Sequence, residues 1–137
     1  MPYGGTALTP TNNKGYSIHF EDRKAQLYVQ LKGTNVDFES SRKYWFEIFE
    51  QTSRGRYRCV LIERDLTDAL TPGEIFQLIS NAASVAPRTV KFAVVDHNLG
   101  RQRNELEEVV ATNRGLNIRI FDEMRQAEEW LLVRCET

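Results

Sequence analysis

The stretch CVLIERDLTDALTPGE, residues 59–74, places an apolar strand directly before the clearest helix start in the chain. Its first four residues, Cys59–Ile62, form a continuous apolar run, which is typical of a central strand covered on both faces of a parallel sheet. Its last four, Thr-Pro-Gly-Glu, form a capping box with proline at the first helical position. The stretch therefore predicts a strand, a short polar connection and a helix.

Upstream of this stretch, the sequence predicts a β-hairpin and a helix. Two runs alternate with polar residues at the period of a strand, and only a short charged link separates them. A helix is then expected from an N-cap at Asp37 to about Ser53. The apolar positions that carry these predictions are Tyr16, Ile18, Phe20, Leu27, Val29 and Leu31 in the hairpin and Trp45, Ile48 and Phe49 in the helix.

Downstream, strands and helices continue to alternate. The helix opened by the capping box is followed by a buried strand at residues 90–95 and by a helix that closes near Arg114 and Gly115. An edge strand around residues 116–120 and a last helix capped by Asp122 complete the chain. We expect Leu106, Val109 and Val110 to face the core from the third helix, and Ala127, Trp130 and Leu131 from the fourth.

The element order β-β-α-β-α-β-α-β-α predicts an α/β fold with a mixed, mainly parallel sheet and flanking helices. Residues 1–15 lack periodicity and are rich in Gly, Thr, Asn and Pro, so we expect a flexible tail there. Residues 16–137 are expected to form one domain.

The composition argues against several classes of partner. Of the 137 residues, 18 are basic and 19 acidic, so the net charge of −1 directs the protein toward neither nucleic acid nor an anionic membrane. No apolar run is long enough for a membrane span, and no signal peptide is recognisable. Cys59 is expected in the core and Cys135 at the surface, without a C-x-x-C pair, so we expect a reducing, cytoplasmic location.

Motifs for catalysis and for cofactor binding are absent. The sequence contains no G-x-G-x-x-G, no P-loop and no G-x-S-x-G elbow, and two isolated histidines do not predict a metal site. The polar residues expected where strands end include Asp65, Asp96 and His97, which could form an acid/base cluster. Asp and Asn are also ordinary turn formers after strands, and we favour that interpretation. We therefore predict a protein that is not an enzyme, with no cofactor and no metal.

Two helices carry residues with alternative interpretations. Glu105, Glu107 and Glu108 on the third helix are interpreted as a solvated acidic face. On the first helix, Tyr44, Trp45 and Phe46 cannot all face inward, so Tyr44 or Phe46 is expected at the surface. An exposed aromatic side chain there would indicate a partner surface or a dimer. A wide apolar face covered by loops is the alternative, and we favour that interpretation.

Three places along the chain resemble the STAS domains, and among them the SpoIIAA-like group of bacterial proteins. The strand leading into Asp65-Leu66-Thr67 is similar to the family's strand followed by Asp-Leu-Ser. Thr71-Pro72-Gly73 opens a helix where antagonists of anti-sigma factors carry Asp-Ser-Ser-Gly. The ending Ile120-Phe121-Asp122, then Ala127 and Trp130-Leu131, is similar to the group's closing strand and helix. The resemblance covers about residues 16–133 and implies a STAS-like fold.

The resemblance also implies a switch that this sequence does not preserve. In antagonists, the serine before the glycine is phosphorylated, and aligning that glycine with Gly73 places Pro72 at the serine's position. Proline cannot be phosphorylated. A phosphate on Thr71 would lie at a helix N-terminus, which favours negative charge, but Thr71 already has a sufficient role as the N-cap.

Three hypotheses for function follow. The first is a regulatory or protein-binding module without the usual phosphoswitch, and its surface would be the loop 65–73 with the outer face of the next helix. The second, suggested by members of the wider fold, is a binder of a small apolar ligand or lipid between helix and sheet. The third, and the least favoured, is an enzyme that uses Asp65, Asp96 and His97. A homodimer through the first or last strand is also possible. The residues assigned to the loop surface are Asp65, Thr67, Asp68, Thr71, Gly73 and Glu74.

Overall fold

Strands and helices alternate along the chain after an opening set of antiparallel strands. The computed structural model describes the backbone of residues 6–7, 11–13 and 15–135, and the side chains of residues 15–132. The elements are β1 (Thr6–Ala7), β2 (Thr11–Asn13), β3 (Tyr16–Arg23), β4 (Gln26–Val36), α1 (Phe38–Arg54), β5 (Cys59–Asp68), α2 (Pro72–Val85), β6 (Lys91–Asp96), α3 (Arg101–Asn113), β7 (Ile118–Phe121) and α4 (Met124–Cys135).

The strands form one mixed sheet in the order β1-β3-β4-β5-β6-β7, and β2 also pairs with β3. The β3–β4 hairpin is antiparallel, whereas β4, β5, β6 and β7 are parallel neighbours. Each parallel connection contains one helix, as a crossover requires. The predicted α/β fold, with its β-β-α-β-α-β-α-β-α order from β3 onward, is confirmed.

The two faces of the sheet are covered unequally. One face packs against α1, α2 and α3 and holds the larger apolar cluster, which includes Ile48, Leu78 and Val110 from these helices. The other face packs against α4, which contributes Ala127 and Leu131 to a smaller cluster. Because successive strand residues point to opposite faces, β5 supplies both clusters. Cys59 belongs to the smaller cluster and is fully buried, as predicted for a core residue. It is also disulfide-bonded, which differs from the reduced cysteine expected in a reducing compartment.

The starts of α1 and α2 agree with the sequence. Asp37 accepts a hydrogen bond from the Ser40 N–H at 2.8 Å and caps α1. Thr71 Oγ1 accepts from the Glu74 N–H at 3.1 Å, and the Glu74 carboxylate accepts from the Thr71 N–H at 2.9 Å. Both halves of the predicted capping box are therefore present. At the end of α3, Gly115 adopts φ +79°, a conformation that favours glycine.

Two regions differ from the prediction. Within the expected tail, residues 6–7 and 11–13 form strands that pair antiparallel with β3, while residues 1–5, 8–10 and 14 lie outside the described residues. Strand β5 continues to Asp68 instead of ending near Ile62. The longer strand is held in place by β4 on one side and by β6 as far as Arg64 on the other.

The two sheet edges are protected in different ways. β1 and β2 pair with the outer edge of β3, which leaves β3 little backbone for pairing across a dimer. At the other edge, β7 has only β6 as a strand neighbour in the described part of the chain. The Ile120 N–H of β7 donates to Glu108 Oε2 at 2.6 Å.

No helix among the described residues is long and apolar enough to cross a membrane.

Candidate functional site

The predicted loop surface is divided between a strand and a helix start. Asp65 and Thr67 lie in β5 and are exposed, and Thr67 Oγ1 accepts a hydrogen bond from the Asn35 N–H at 3.0 Å. Asp68 ends the strand, and its side chain is nearly buried. Thr71 and the glycine after Pro72 are exposed, and Glu74 is half-buried because it closes the capping box. A methyl group at Gly73 would meet only Thr71 Oγ1, at 3.9 Å, so no steric need for glycine exists there.

The three residues of the hypothetical acid/base cluster do not form one site. Asp65 accepts a hydrogen bond from the Asn98 amide. His97 Nε2 lies 3.0 Å from Glu63 Oε2, on the sheet face that α4 partly covers. Asp96 turns to the opposite face, where its partners are on β5 and α3. Each side chain therefore has its own partner, and the geometry does not support the acid/base arrangement.

A buried charged cluster lies where β5 and β6 end beside the start of α3. Arg64 is 1% exposed and points into the face covered by α1, α2 and α3. Its Nη1 lies 3.2 Å from both carboxylate oxygens of Glu107, and its Nη2 donates to Asn104 Oδ1 at 2.9 Å. We call this group the Arg64 cluster; its members are Arg64, Asp68, Asp96, Arg103, Asn104 and Glu107.

The remaining contacts join three elements through the same cluster. Arg103 donates to Glu107 and, from Nη2, to Asp68 Oδ2 at 2.8 Å. Asp96 Oδ2 accepts from Asn104 Nδ2 at 2.8 Å and from the Leu99 N–H at 2.9 Å. The cluster therefore fixes the ends of β5 and β6 and the loop before α3 to one face of α3.

Charge pairing decides the ionisation of the cluster. Burial alone would raise the pKa of the Glu107 carboxyl, but the guanidinium groups of Arg64 and Arg103 outweigh it, and the pKa lies below its ordinary value. For Asp96 the same opposition holds, and Arg64 with the Asn104 amide lowers the pKa. The opposite charges raise the pKa of Arg64 despite its burial. The side chains of Arg64, Asp96, Arg103 and Glu107 are therefore all charged near neutral pH, and none of them exchanges a proton there.

The interpretation of Glu107 as part of a solvated face is wrong. Glu107 is fully buried, whereas Glu105 is exposed and Glu108 is half-buried against β7. Helix α3 is rotated relative to the predicted stripe, so Val109 is 55% exposed and Ala111 is buried. The acidic run gave no indication that Glu107 is buried, because the cation that pairs with it, Arg64, lies in another element. The detectable signal was the position of Arg64, which shares a strand face with Ile62 and Leu66.

A second feature is an open groove of about 810 Å³ between α1 and α2. Its floor is apolar and includes Trp45, which is 2% exposed. Phe46 and Val85 line it with 59% and 61% of their surfaces exposed. The prediction of one exposed aromatic residue on α1 is confirmed for Phe46, while Tyr44 is buried. The groove, here the α1–α2 groove, is lined by Glu39, Arg42, Lys43, Trp45, Phe46, Glu47, Phe49, Leu78, Asn81, Ala82, Ser84 and Val85.

A smaller polar pocket of about 290 Å³ lies between α3, β7 and the start of α4. Arg101 and Arg119 line it together with the carboxylates of Glu105, Glu108 and Asp122. The charges are mixed, and Glu108 is already engaged by the Ile120 N–H. Among the described residues, no group of three or more His, Cys, Asp or Glu side chains is arranged to hold a metal ion.

Comparisons with known proteins find a likeness in structure and none in sequence. No family model matches the sequence, and no curated protein matches it. A solved structure from Shewanella loihica, described as an uncharacterized protein of the DUF3478 family with a SpoIIAA-like fold, is similar to this chain. The alignment covers 88% of this chain and 97% of the other, with 18% identity and a TM-score of 0.47.

Proposed function

We propose that this chain is a non-enzymatic binding module of the STAS-like kind, and that its binding surface is the α1–α2 groove. The observation that carries the proposal is the apolar groove itself, with Phe46 and Val85 exposed on its walls. The groove has a volume of about 810 Å³. Apolar surface of this kind on a soluble domain is typical of a site that a partner or ligand covers.

The arrangement of ionisable side chains supports a function without catalysis. Asp96 and Glu107 are both paired with Arg64, and their lowered pKa values keep them charged. A general acid or base requires a group that exchanges protons near the working pH within reach of a substrate. In the Arg64 cluster, the buried charges instead hold strand ends and a helix together.

The first hypothesis named the loop 65–73 and the outer face of α2, and the groove shares only α2 with that surface. Asp65, Thr67 and Thr71 remain candidates for a protein contact because they are exposed, but none of them lines the groove. The variants Thr71→Ala and Glu74→Arg test the loop, since neither residue contributes to the groove. The cytoplasmic location and the homodimer stay predictions of the sequence.

The class of occupant follows from the shape of the groove. A small apolar ligand or lipid requires a site that removes most of its surface from water. The α1–α2 groove is open, so a small molecule in it would keep one side in water. This favours a protein segment over a small ligand, in agreement with the first hypothesis on the class of partner.

Titration with the fluorescent probe 1-anilinonaphthalene-8-sulfonate tests whether the groove binds apolar groups. We expect fluorescence enhancement with the wild type and its loss in Phe46→Glu. Val109→Glu is the matched control, because Val109 is similarly exposed on α3 and does not line the groove. Equal enhancement in the wild type and both variants would show that the groove is not the binding surface.

A further inference from the structure

The two walls of the α1–α2 groove have the spacing of helix-packing ridges. Residues three, four and seven positions apart lie on one helix face. Two such faces side by side form the surface into which a third helix packs, with its own ridge between them. The α1 wall presents Glu39, Arg42, Lys43 and Phe46, and the α2 wall presents Leu78, Asn81, Ala82 and Val85.

The apolar residues of the walls supply an anchor for such a helix. Phe46 and Val85 project from the two walls with more than half of their surfaces in water. Trp45 and Leu78 lie beneath them and are buried. An amphipathic helix laid along the groove would cover both exposed side chains at once, which is the usual mode of helix-in-groove recognition. Exposed aromatic residues at the centre of such a surface contribute most to affinity.

The charged side chains of the α1 wall indicate which charge the partner carries. Arg42 is paired with Glu39, with Nη1 and Oε1 3.0 Å apart. The Glu47 carboxylate accepts a hydrogen bond from the Tyr16 hydroxyl. Lys43 also lines the groove, and it forms no ion pair with any of the described side chains. The polar residues that line the groove from α2, Asn81 and Ser84, are both uncharged. An acidic residue beside the apolar stripe of the partner would therefore complement Lys43.

We propose that the α1–α2 groove binds an amphipathic helix of a partner protein, whose apolar stripe covers Phe46 and Val85 and whose acidic flank faces Lys43. This inference rests on the proposed function and names the class of partner. It assigns separate roles to two residues. Phe46 supplies affinity, and Lys43 selects the charge of the flank.

Selection from a displayed library of helical peptides tests the proposal. The library has about 18 residues per peptide, enough for roughly five turns, with one face varied among apolar residues and the flanks among Asp, Glu, Lys, Arg and Ser. The full chain is the target. We expect enriched peptides to carry apolar residues at positions i, i+3, i+4 and i+7 with Asp or Glu on one flank. Phe46→Glu is expected to weaken the best peptide by about tenfold or more, and Val109→Glu to leave it unchanged.

Charge reversal at Lys43 gives a readout that a structural role cannot produce. Repeating the selection on Lys43→Glu should enrich Lys or Arg on the same flank, because the rim charge has changed sign. Enrichment with the same flank on both targets, or binding that Phe46→Glu does not affect, would overturn the proposal. Far-UV circular dichroism of each variant verifies the fold.

Titration of the same preparations with 1-anilinonaphthalene-8-sulfonate distinguishes the proposal that the groove binds apolar groups from the proposal that it binds a helix. If the probe binds in a Phe46-dependent way and no groove-binding peptide is enriched, the helix proposal is wrong and the groove remains a binding surface. If neither probe nor peptide depends on Phe46, both proposals are wrong.

Discussion

Arg64 Nη1 lies 3.2 Å from both carboxylate oxygens of Glu107, and both side chains are essentially removed from water. Arg64 comes from the middle strand β5 and Glu107 from the inner face of α3. The pair therefore links β5 to α3, the helix that follows the neighbouring strand β6. Removing one member of such a buried pair leaves the other charge buried without compensation. The resulting loss in the free energy of unfolding is larger than the gain of the intact pair over a pair of apolar residues.

Replacing Arg64 should destabilise the fold severely. We expect Arg64→Ala to lower the free energy of unfolding by about 3–5 kcal/mol, because Glu107 and Asp96 would keep buried negative charges. Urea denaturation followed by circular dichroism measures the change. The matched control is Arg42→Ala, which breaks an exposed pair with Glu39 and should cost no more than about 1 kcal/mol. Equal losses in the two variants would contradict a structural role for the cluster.

The stability of the protein should depend on pH through Glu107. The folded-state pKa of this carboxyl is lowered, so its contribution is complete above its ordinary value of 4.5 and is lost as the pH falls through the folded-state value. We expect the urea concentration at the unfolding midpoint of the wild type to decrease as the pH is lowered below about 4.5. Glu107→Gln should be less stable at pH 7 and show a shallower acid dependence.

Glu105→Gln is the control for this pH experiment. Glu105 lies on the same helix but is exposed. Its variant should keep both the stability and the acid dependence of the wild type. An unchanged acid dependence in Glu107→Gln would mean that other carboxyl groups determine the response.

Two adjacent aromatic residues of α1 should behave in opposite ways. Trp45 packs against the rings of Phe49 and Phe92, with centroids 5.5 and 6.3 Å away. Trp45→Ala should therefore cost about 3–5 kcal/mol. Phe46 is 59% exposed, and Phe46→Ser should change stability by no more than about 0.5 kcal/mol. Thermal and urea unfolding of the two variants measure this difference, and a large loss in Phe46→Ser would place Phe46 in the core.

The Glu108 carboxylate should limit self-association through β7. Removing it in Glu108→Ala frees the Ile120 N–H at a strand edge, and such an edge can pair with another chain. We expect association to increase relative to the wild type in light scattering over a range of protein concentrations. Glu105→Ala provides the control on the same helix. If both variants associate as the wild type does, the hydrogen bond has no protective role.

Local patterns were sufficient to predict most of the fold. The capping box at Thr71, the N-cap at Asp37 and the alternation in the β3–β4 hairpin depend on neighbouring residues only, and all three are present. The length of β5 could not be predicted in the same way. Its polar second half is stabilised as a strand by pairing with β4, which is remote in sequence.

The candidate sites were less accessible from sequence. Glu107 has the appearance of a surface residue because it lies in an acidic run, and only the fold brings Arg64 to it. The groove depends on the spacing between α1 and α2, which no local pattern encodes. The exposure of either Tyr44 or Phe46 was predictable from helical geometry, and the sheet contacts of α1 decide that Phe46 is the exposed one.

Amide chemical-shift mapping with 1-anilinonaphthalene-8-sulfonate locates the binding surface residue by residue. Spectra of the labelled full chain are recorded during titration, and the shifted amides are assigned to residues. We expect the largest shifts to cluster on the facing sides of α1 and α2, around Phe46 and Val85, and to disappear in Phe46→Glu. Shifts centred on residues 65–74 instead, or the same pattern in Phe46→Glu, would contradict the claim that the α1–α2 groove is the binding surface.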